Sequence, residues 1–488
     1  MLARGGAGSY AARVRLDAVV VGAGPNGLAA AITLARAGHS VVVLEANEMA
    51  GGGVRSGPLT GPGYIQDLCS AVYPMAAGSP FFATLPLAEH GLRWVHPPVL
   101  LAHPFDDGTA ATMERDLEQT VRGLGEDGPA YRRLVGTLAR RWQELAPELL
   151  APVRLPGHPL ALARFGLAAM QPAVRLFTRR FRTTAAAALM GGLAAHSFVP
   201  LEMRFTSAIG LMLTAAAHAV GWPFVAGGAQ ALTDALVAVL RAHGGMLETG
   251  RHVRSLDELP DARAILLDLT PRQVLAVAGG RLPSRYRAAL GRYRYGPAAF
   301  KIDYALKAPI PWTAEACRRA GTVHLGGPLD EIAAAERNTW AGVPPERPFV
   351  LVAQPSLFDP SRAPAGKHTA WAYCHVPHAC QVDMTAALER QIERFAPGFR
   401  DVVLARRTRS PAELEAGNAN LVGGDLSGGA NDARQIFARP VFRFDPYATP
   451  VPGLYLCSSS TPPGAGVHGM CGHLAARSAL RFLGRQRS

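Results

Sequence analysis

Near its start the chain carries a continuous apolar run at residues 18–21. Such a run, following Asp17, predicts a strand buried on both faces of a parallel sheet. Leu28, Ala31, Ile32, Leu34 and Ala35 then recur at helical spacing, and Gly38 stops that helix. Residues 41–44 form a second apolar run, ending at Glu45, which completes a β-α-β unit within about 30 residues. Residues 80–113 read as short strands and turns. The pattern is helical from 114 to about 181 and again over 185–219, the second stretch being rich in small residues. A further helix opens at Gly227-Gly228, runs through Leu240 and ends at Gly244-Gly245. Residues 246–248, 265–269, 300–306, 349–353 and 370–375 read as strands, and 381–396 as a helix. The closing part returns to the opening pattern, with a strand at 454–457, a Gly/Pro/Ser loop and a helix from about Met470.

These elements predict an α/β chain with a Rossmann-like nucleotide domain and an inserted α+β substrate domain. The expected nucleotide domain is discontinuous, taking 17–80, 223–290 and 411–488. The substrate domain takes 81–222 and 291–410, and residues 1–16 read as a disordered tail. A length of 488 residues exceeds what one hydrophobic core serves. With 49% hydrophobic and 18% charged residues the disordered class is excluded.

The net charge of +13 raises the question of a nucleic-acid partner. All basic residues except Lys301, Lys307 and Lys367 are Arg, and they are spread along the chain without a basic arm. We read them as a solvated surface and expect no nucleic acid. None of the six Cys forms a CxxC pair, so neither a redox dithiol nor a metal site is expected, and a reducing, cytoplasmic setting fits. The spacing of Cys374, His375, His378 and Cys380, interrupted by Pro377, matches no common zinc pattern. No segment reads as a membrane span, and residues 1–15 lack the apolar stretch of a secretory leader.

The sharpest motif is Gly22-Ala-Gly24-Pro25-Asn26-Gly27, set between the first strand and the first helix. Gly22 permits the tight turn, Gly24 lets the backbone approach a diphosphate, and Gly27 lets the helix pack closely on the sheet. The helix start offers free N–H groups and a partial positive charge to phosphates. Glu45 closes the second strand, where a carboxylate accepts hydrogen bonds from a ribose 2′-hydroxyl and repels a 2′-phosphate, which disfavours NADP.

Two segments carry a family resemblance. Residues 45–56, with Glu45, Ala46, Gly51, Gly52, Gly53 and Arg55, resemble the signature of flavoproteins related to amine oxidases and phytoene desaturases. Residues 449–472, with Cys457, Ser458, Ser459, Gly464, Gly466, Val467, His468 and Gly472, resemble the closing motif of phytoene-desaturase-like proteins. Gly221-Trp-Pro, Gly227-Gly228-Ala-Gln-Ala-Leu, residues 300–306 and residues 394–399 extend the likeness over most of the chain. The resemblance implies a glutathione reductase-type fold and FAD as cofactor. It assigns FAD contacts to Gly22, Gly24, Pro25, Asn26, Gly27, Glu45, Ala46, Gly52, Gly53 and Arg55, to Val253 through its backbone at the adenine, and to Ser459, Gly466, Val467 and His468. Relatives often carry Arg where Gly53 stands, and Gly with Asp or Ser where Ser458 and Ser459 stand. With one dinucleotide fingerprint in the chain, no separate NAD(P)H domain is expected.

The implied activity is dehydrogenation or desaturation of a largely apolar small molecule by hydride transfer to flavin N5. A flavin amine oxidase is the first rival. A lipid or prenyl carrier, similar in fold to Rab escort proteins, is the second. Lys301 is a candidate for orienting water or a substrate oxygen, or alternatively a structural partner of Asp303 on the same strand face. His468 is a candidate proton carrier beside the flavin, or alternatively a residue that starts the last helix. His324 is a weaker candidate, and His196 and His375 read as structural. Cys69 reads as a buried apolar residue rather than a covalent flavin link. The Arg-rich stretch 160–182 reads either as a packed helix pair or as peripheral contact with a membrane. The oligomeric state is not indicated.

Overall fold

The computed structural model describes residues 15–485, so the greater part of the tail lies outside the described residues. In chain order its principal strands are β1 (Leu16–Val21), β2 (Val41–Leu44), β3 (Val99–Pro104), β4 (Ala110–Glu114), β5 (Met246–Glu248), β6 (Ala262–Leu267), β7 (Ala298–Leu306), β8 (Ala320–Leu325), β9 (Val350–Ala353), β10 (His368–Val376), β11 (Val403–Arg409) and β12 (Leu454–Leu456). The first strand starts at Leu16, which pairs with Ala262, so it reaches into the last position of the expected tail.

Five of these strands form an all-parallel sheet in the order β12-β6-β1-β2-β5. Alternate residues serve opposite faces. Ala18, Val20, Val41 and Val43 join one core with the first helix, Pro25–Arg36, and the last helix, Met470–Arg485. Val19, Val21, Val42 and Leu44 join a second core with Val274, Leu282 and Tyr286. Cover on both faces is why these strands read as unbroken apolar runs.

The remaining seven form a mixed sheet in the order β11-β7-β10-β9-β8-β3-β4. Phe300, Ile302 and Tyr304 of β7 and Ala370, Ala372 and Cys374 of β10 face one core with Leu388 and Ile392. The intervening residues of β10, namely Trp371, Tyr373 and His375, point to the other side, as the period of two requires. Edge strand β11 was not anticipated. Its residues Arg406, Arg407 and Arg409 hide the strand pattern, and such charges are what keeps an exposed edge from pairing with another chain. The stretch expected as one helical region from 114 to 181 divides into several helices, among them Pro159–Ala169 and Ala173–Arg180.

A buried ion pair ties the loop after β2 to the mixed-sheet region. The Arg362 guanidinium donates to both Asp67 carboxylate oxygens at 3.1 and 2.9 Å, and both side chains are fully buried. Asp67 also accepts from Ser56 Oγ and from the Ala229 amide, each at 2.7 Å. Arg362 additionally donates to the carbonyls of Ile65 and Val225 and lies 3.3 Å from Asp359, which accepts from the Gly227 amide at 2.7 Å. Removing one member of such a pair leaves an uncompensated buried charge. Arg362→Ala is therefore expected to lower stability by about 3–5 kcal/mol, measured by chemical denaturation.

Candidate functional site

The turn from β1 into the first helix is built on close backbone approach. Gly22 has φ +101°, and its amide donates to the Leu44 carbonyl at 2.8 Å. A Cβ at Gly27 would overlap the Gly22 carbonyl, and one at Gly24 would meet Asp268 Oδ2 at 2.8 Å. The glycine-rich loop after β2 lies against this turn, with the Gly51 amide donating to Ala23 O at 2.9 Å. The result is a bare backbone cradle at a helix start, the arrangement that receives a diphosphate.

Glu45 stands at the end of β2, 5% exposed. One carboxylate oxygen accepts from the Ala23 amide at 2.8 Å, and the other from the amide and side chain of Asn47 at 2.9 and 2.8 Å. Its backbone is bracketed by the chain at 248–251, which carries Val253 to the same rim. Asp268, just beyond β6, was not singled out in the sequence. Its carboxylate accepts from the Gly27 amide at 2.9 Å. Burial pushes its pKa up to about 7, against the lowering effect of that hydrogen bond. An acidic residue directly after an apolar strand run was the available signal.

A cavity of about 650 Å³ runs along this cradle. Gly22, Gly24, Pro25, Asn26, Glu45, Ala46, Gly52, Gly53, Val253, Ser459, Gly466 and Val467 all line it. So do Asn418, Asn420, Ser427 and Gly428, which the sequence did not point to. Buried Asp425 shapes that last segment by accepting from the amides of Gly296, Ser427 and Gly429 at 2.7–2.8 Å. The cavity continues to an aromatic end walled by Tyr73, His196, Phe198, Leu213, Trp222, Leu351, Trp371 and Tyr373. Trp371 and Tyr373 stack with centroids 5.7 Å apart. Phe198 holds φ +58°, an uncommon conformation for a bulky residue, at the cavity wall.

Four of the candidate residues stand behind the wall rather than in it. Gly27 acts through its amide on Asp268. Arg55 donates to the carbonyls of Gly52 and Gly417 at 2.9 and 2.7 Å, bracing the glycine loop. Lys301 is buried in an ion pair with Asp303, its ammonium 5.5 Å from the Trp371 ring, on the strand face it shares with Tyr373. His468 is fully buried. Its Nδ1 accepts from the Met470 amide at 3.0 Å, so its side chain caps the last helix. Burial lowers its pKa to about 4, which keeps it neutral at physiological pH. Cys69 lines the cavity half-buried, and burial pushes its thiol up against the lowering effect of Arg409, Lys301 and Arg55. His196 is part of the aromatic wall, and His324 stands behind it.

The backbone cradle, the carboxylate at the end of β2 and the elongated cavity fit FAD. Among the described residues no group of three or more His, Cys, Asp or Glu could hold a metal ion.

Comparison with known proteins agrees with this geometry. The chain is 27% identical to pyridine nucleotide-disulfide oxidoreductase domain-containing protein 2 of Rattus norvegicus, over 96% of this chain and 94% of the relative. It is 24% identical to hydroxyneurosporene desaturase of Rhodobacter capsulatus, over 93% of this chain and 95% of the relative. A crystal structure of an oxidoreductase from Methanosarcina mazei superposes with a TM-score of 0.63 at 16% identity, covering 96% of this chain and all of that one. Residues 26–279 match the family described as flavin containing amine oxidoreductase. The chain belongs to that family, and it is an FAD-dependent oxidoreductase.

Proposed function

We propose that the chain dehydrogenates or desaturates a largely apolar small molecule, with hydride transfer to the flavin. The observation that carries this reading is the aromatic end of the cavity, where the lining is Tyr73, Phe198, Leu213, Trp222, Leu351, Trp371 and Tyr373 beside a single His196. Among the described lining residues the carboxylates are Glu45 and Asp268, both at the nucleotide end. An ammonium substrate would find no carboxylate at this end and only the ring faces and the Tyr373 hydroxyl to bind it, which ranks an amine oxidase second. The carrier reading is disfavoured by the cradle itself, since a lipid carrier needs no diphosphate site.

Bound FAD supplies a two-electron acceptor at N5. The chain's own residues bind and orient. Apolar walls exclude water and hold the reacting C–H bond, while the stacked pair Trp371 and Tyr373 presents a flat face. Lys301 supports that face from behind through its position over Trp371. We assign the cofactor contacts to Gly22, Gly24, Pro25, Asn26, Glu45, Ala46, Gly52, Gly53, Val253, Ser459, Gly466 and Val467, with Asp268 added. With its pKa raised to about 7, Asp268 repels a diphosphate at the helix start less than an ordinary carboxylate would.

We also propose that the chain touches an anionic membrane surface, from which an apolar substrate would enter. No helix among the described residues is long and apolar enough to cross a membrane. Leu155, Leu160 and Leu167 are nevertheless 95%, 80% and 71% exposed, beside exposed Arg164, Arg175, Arg179 and Arg180. Apolar side chains flanked by Arg are suited to the headgroup boundary of acidic lipids.

Three measurements test these assignments. Purified protein is expected to absorb near ~450 nm, and Glu45→Lys to lose that chromophore on gel filtration; a Glu45→Lys protein as yellow as the parent would overturn the cradle assignment. For Asp268 the folded-state pKa lies above the ordinary carboxylate value. Its contribution to stability is therefore full below about 4 and lost as pH rises through about 7. Asp268→Asn is expected to flatten the fall of Tm across that window in flavin-free protein, a difference on the order of 4 kcal/mol at the alkaline end. Finally, sedimentation with phosphatidylglycerol vesicles is expected for the parent and reduced for Leu160→Glu/Leu167→Glu, with little binding to phosphatidylcholine alone.

A further inference from the structure

At the aromatic end of the cavity lies a cluster of imidazoles, with His196 half-buried in the wall and His103, His324 and His375 buried. His196 Nε2 lies 3.3 Å from His324 Nε2. His103 Nε2 lies 2.7 Å from the Gly327 carbonyl, and His375 Nδ1 lies 2.7 Å from a Glu336 carboxylate oxygen. Burial lowers the pKa of His196 to about 3, of His103 to about 4 and of His324 well below the ordinary value, so these three rings are neutral. Each neutral ring carries one N–H, and its position follows from what surrounds it.

A carbonyl or carboxylate oxygen only accepts, so His103 carries its proton on Nε2 and His375 on Nδ1. The other nitrogens, His103 Nδ1 and His375 Nε2, are buried without a partner, and in the neutral His103 ring that nitrogen is a bare acceptor. His324 follows the same logic. Its Nδ1 is buried without a partner, packed against Gly192 and near the Phe349 ring. An orphaned N–H costs more there than an orphaned lone pair. His324 therefore carries its proton on Nε2 and donates to His196 Nε2. His196, neutral and accepting at Nε2, must carry its own proton on Nδ1. No described protein group accepts from that atom, and it is not among the sealed, unpartnered ones, while His196 lines the cavity.

We propose that His196, with its tautomer set by His324, is a specificity-determining residue whose Nδ1–H binds an oxygen of an otherwise apolar substrate, a hydroxyl, carbonyl or carboxylate. This rests on the oxidoreductase reading above and narrows its substrate class. The Tyr373 hydroxyl in the same wall both donates and accepts, so it does not set the polarity. The fixed donor at His196 does. An ammonium group, which has no lone pair to offer, gains nothing from this donor.

The test compares octanol, octylamine and octane as probes, read by quenching of Trp222 and Trp371 fluorescence and by perturbation of the flavin spectrum in the purified protein. Octanol is expected to bind about 5- to 10-fold more tightly than octane, the scale of one hydrogen bond, and octylamine less tightly than octanol. His196→Phe should erase the preference for octanol over octane. His196→Asn, which keeps a donor, should retain part of it. An octanol preference that survives in His196→Phe, an absence of preference in the parent, or a preference for octylamine would each overturn the proposal. A colourless protein that takes up no added FAD would instead sink the oxidoreductase reading, and the fluorescence titration would still judge His196 separately.

Discussion

Everything in this molecule is arranged around a close approach of bare backbone at the start of the first helix. Gly22 turns the chain, Gly27 faces the Gly22 carbonyl without room for a Cβ, and Gly472 of the last helix presses on the Asn26 carbonyl in the same way. These contacts set the first and last helices side by side on one face of the parallel sheet. They also leave the backbone at Gly24 and Asn26 open to the cavity, while the Gly27 amide is held by Asp268. One packing constraint thus makes both the core and the anion cradle, which is why residues more than 400 positions apart meet at one site.

The second organising feature is a set of buried carboxylates that spend their charge on backbone amides and guanidinium groups. Asp67 joins Ser56, Ala229 and Arg362, drawing the loop after β2 toward the mixed sheet. Asp425 gathers three amides and so shapes the segment that carries Ser427 and Gly428 into the cavity. Glu45 and Asp268 do the same at the nucleotide end. A satisfied buried carboxylate orders irregular chain that no periodic pattern describes. The cavity's loops are therefore held by residues that are isolated acids in the sequence.

The aromatic end has a different origin. Strand β10 puts Trp371, Tyr373 and His375 on one face and Ala370, Ala372 and Cys374 on the other. Its register with β7 sets Lys301 opposite Tyr373 and Asp303 opposite Trp371. The lysine that stood out in an arginine-rich chain is thereby buried in an ion pair with Asp303, behind the cavity wall. The histidines show the converse. His196 ends one helix and His324 lies on β8, with nothing between them in sequence to suggest contact, yet their rings meet behind the cavity.

Through its likeness to flavoproteins the sequence pointed to the flavin cofactor, and by itself it determined the α/β class, the parallel strands and the position of the dinucleotide turn. Those features depend on local rules: apolar runs for strands buried on both faces, helical spacing, glycines where backbone must approach, and an acid at a strand end. Edge strand β11 escaped because its arginines mask the period of two. Asp268, Asp425 and Arg362 escaped because a polar residue in a loop looks the same whether it faces water or a buried amide. Only the tertiary structure decided which side chains form the aromatic end, that His468 caps a helix, and that His196 faces the cavity. Those outcomes depend on contacts between distant segments, and burial, which sets the charge and tautomer of each group, exists only once the segments have packed.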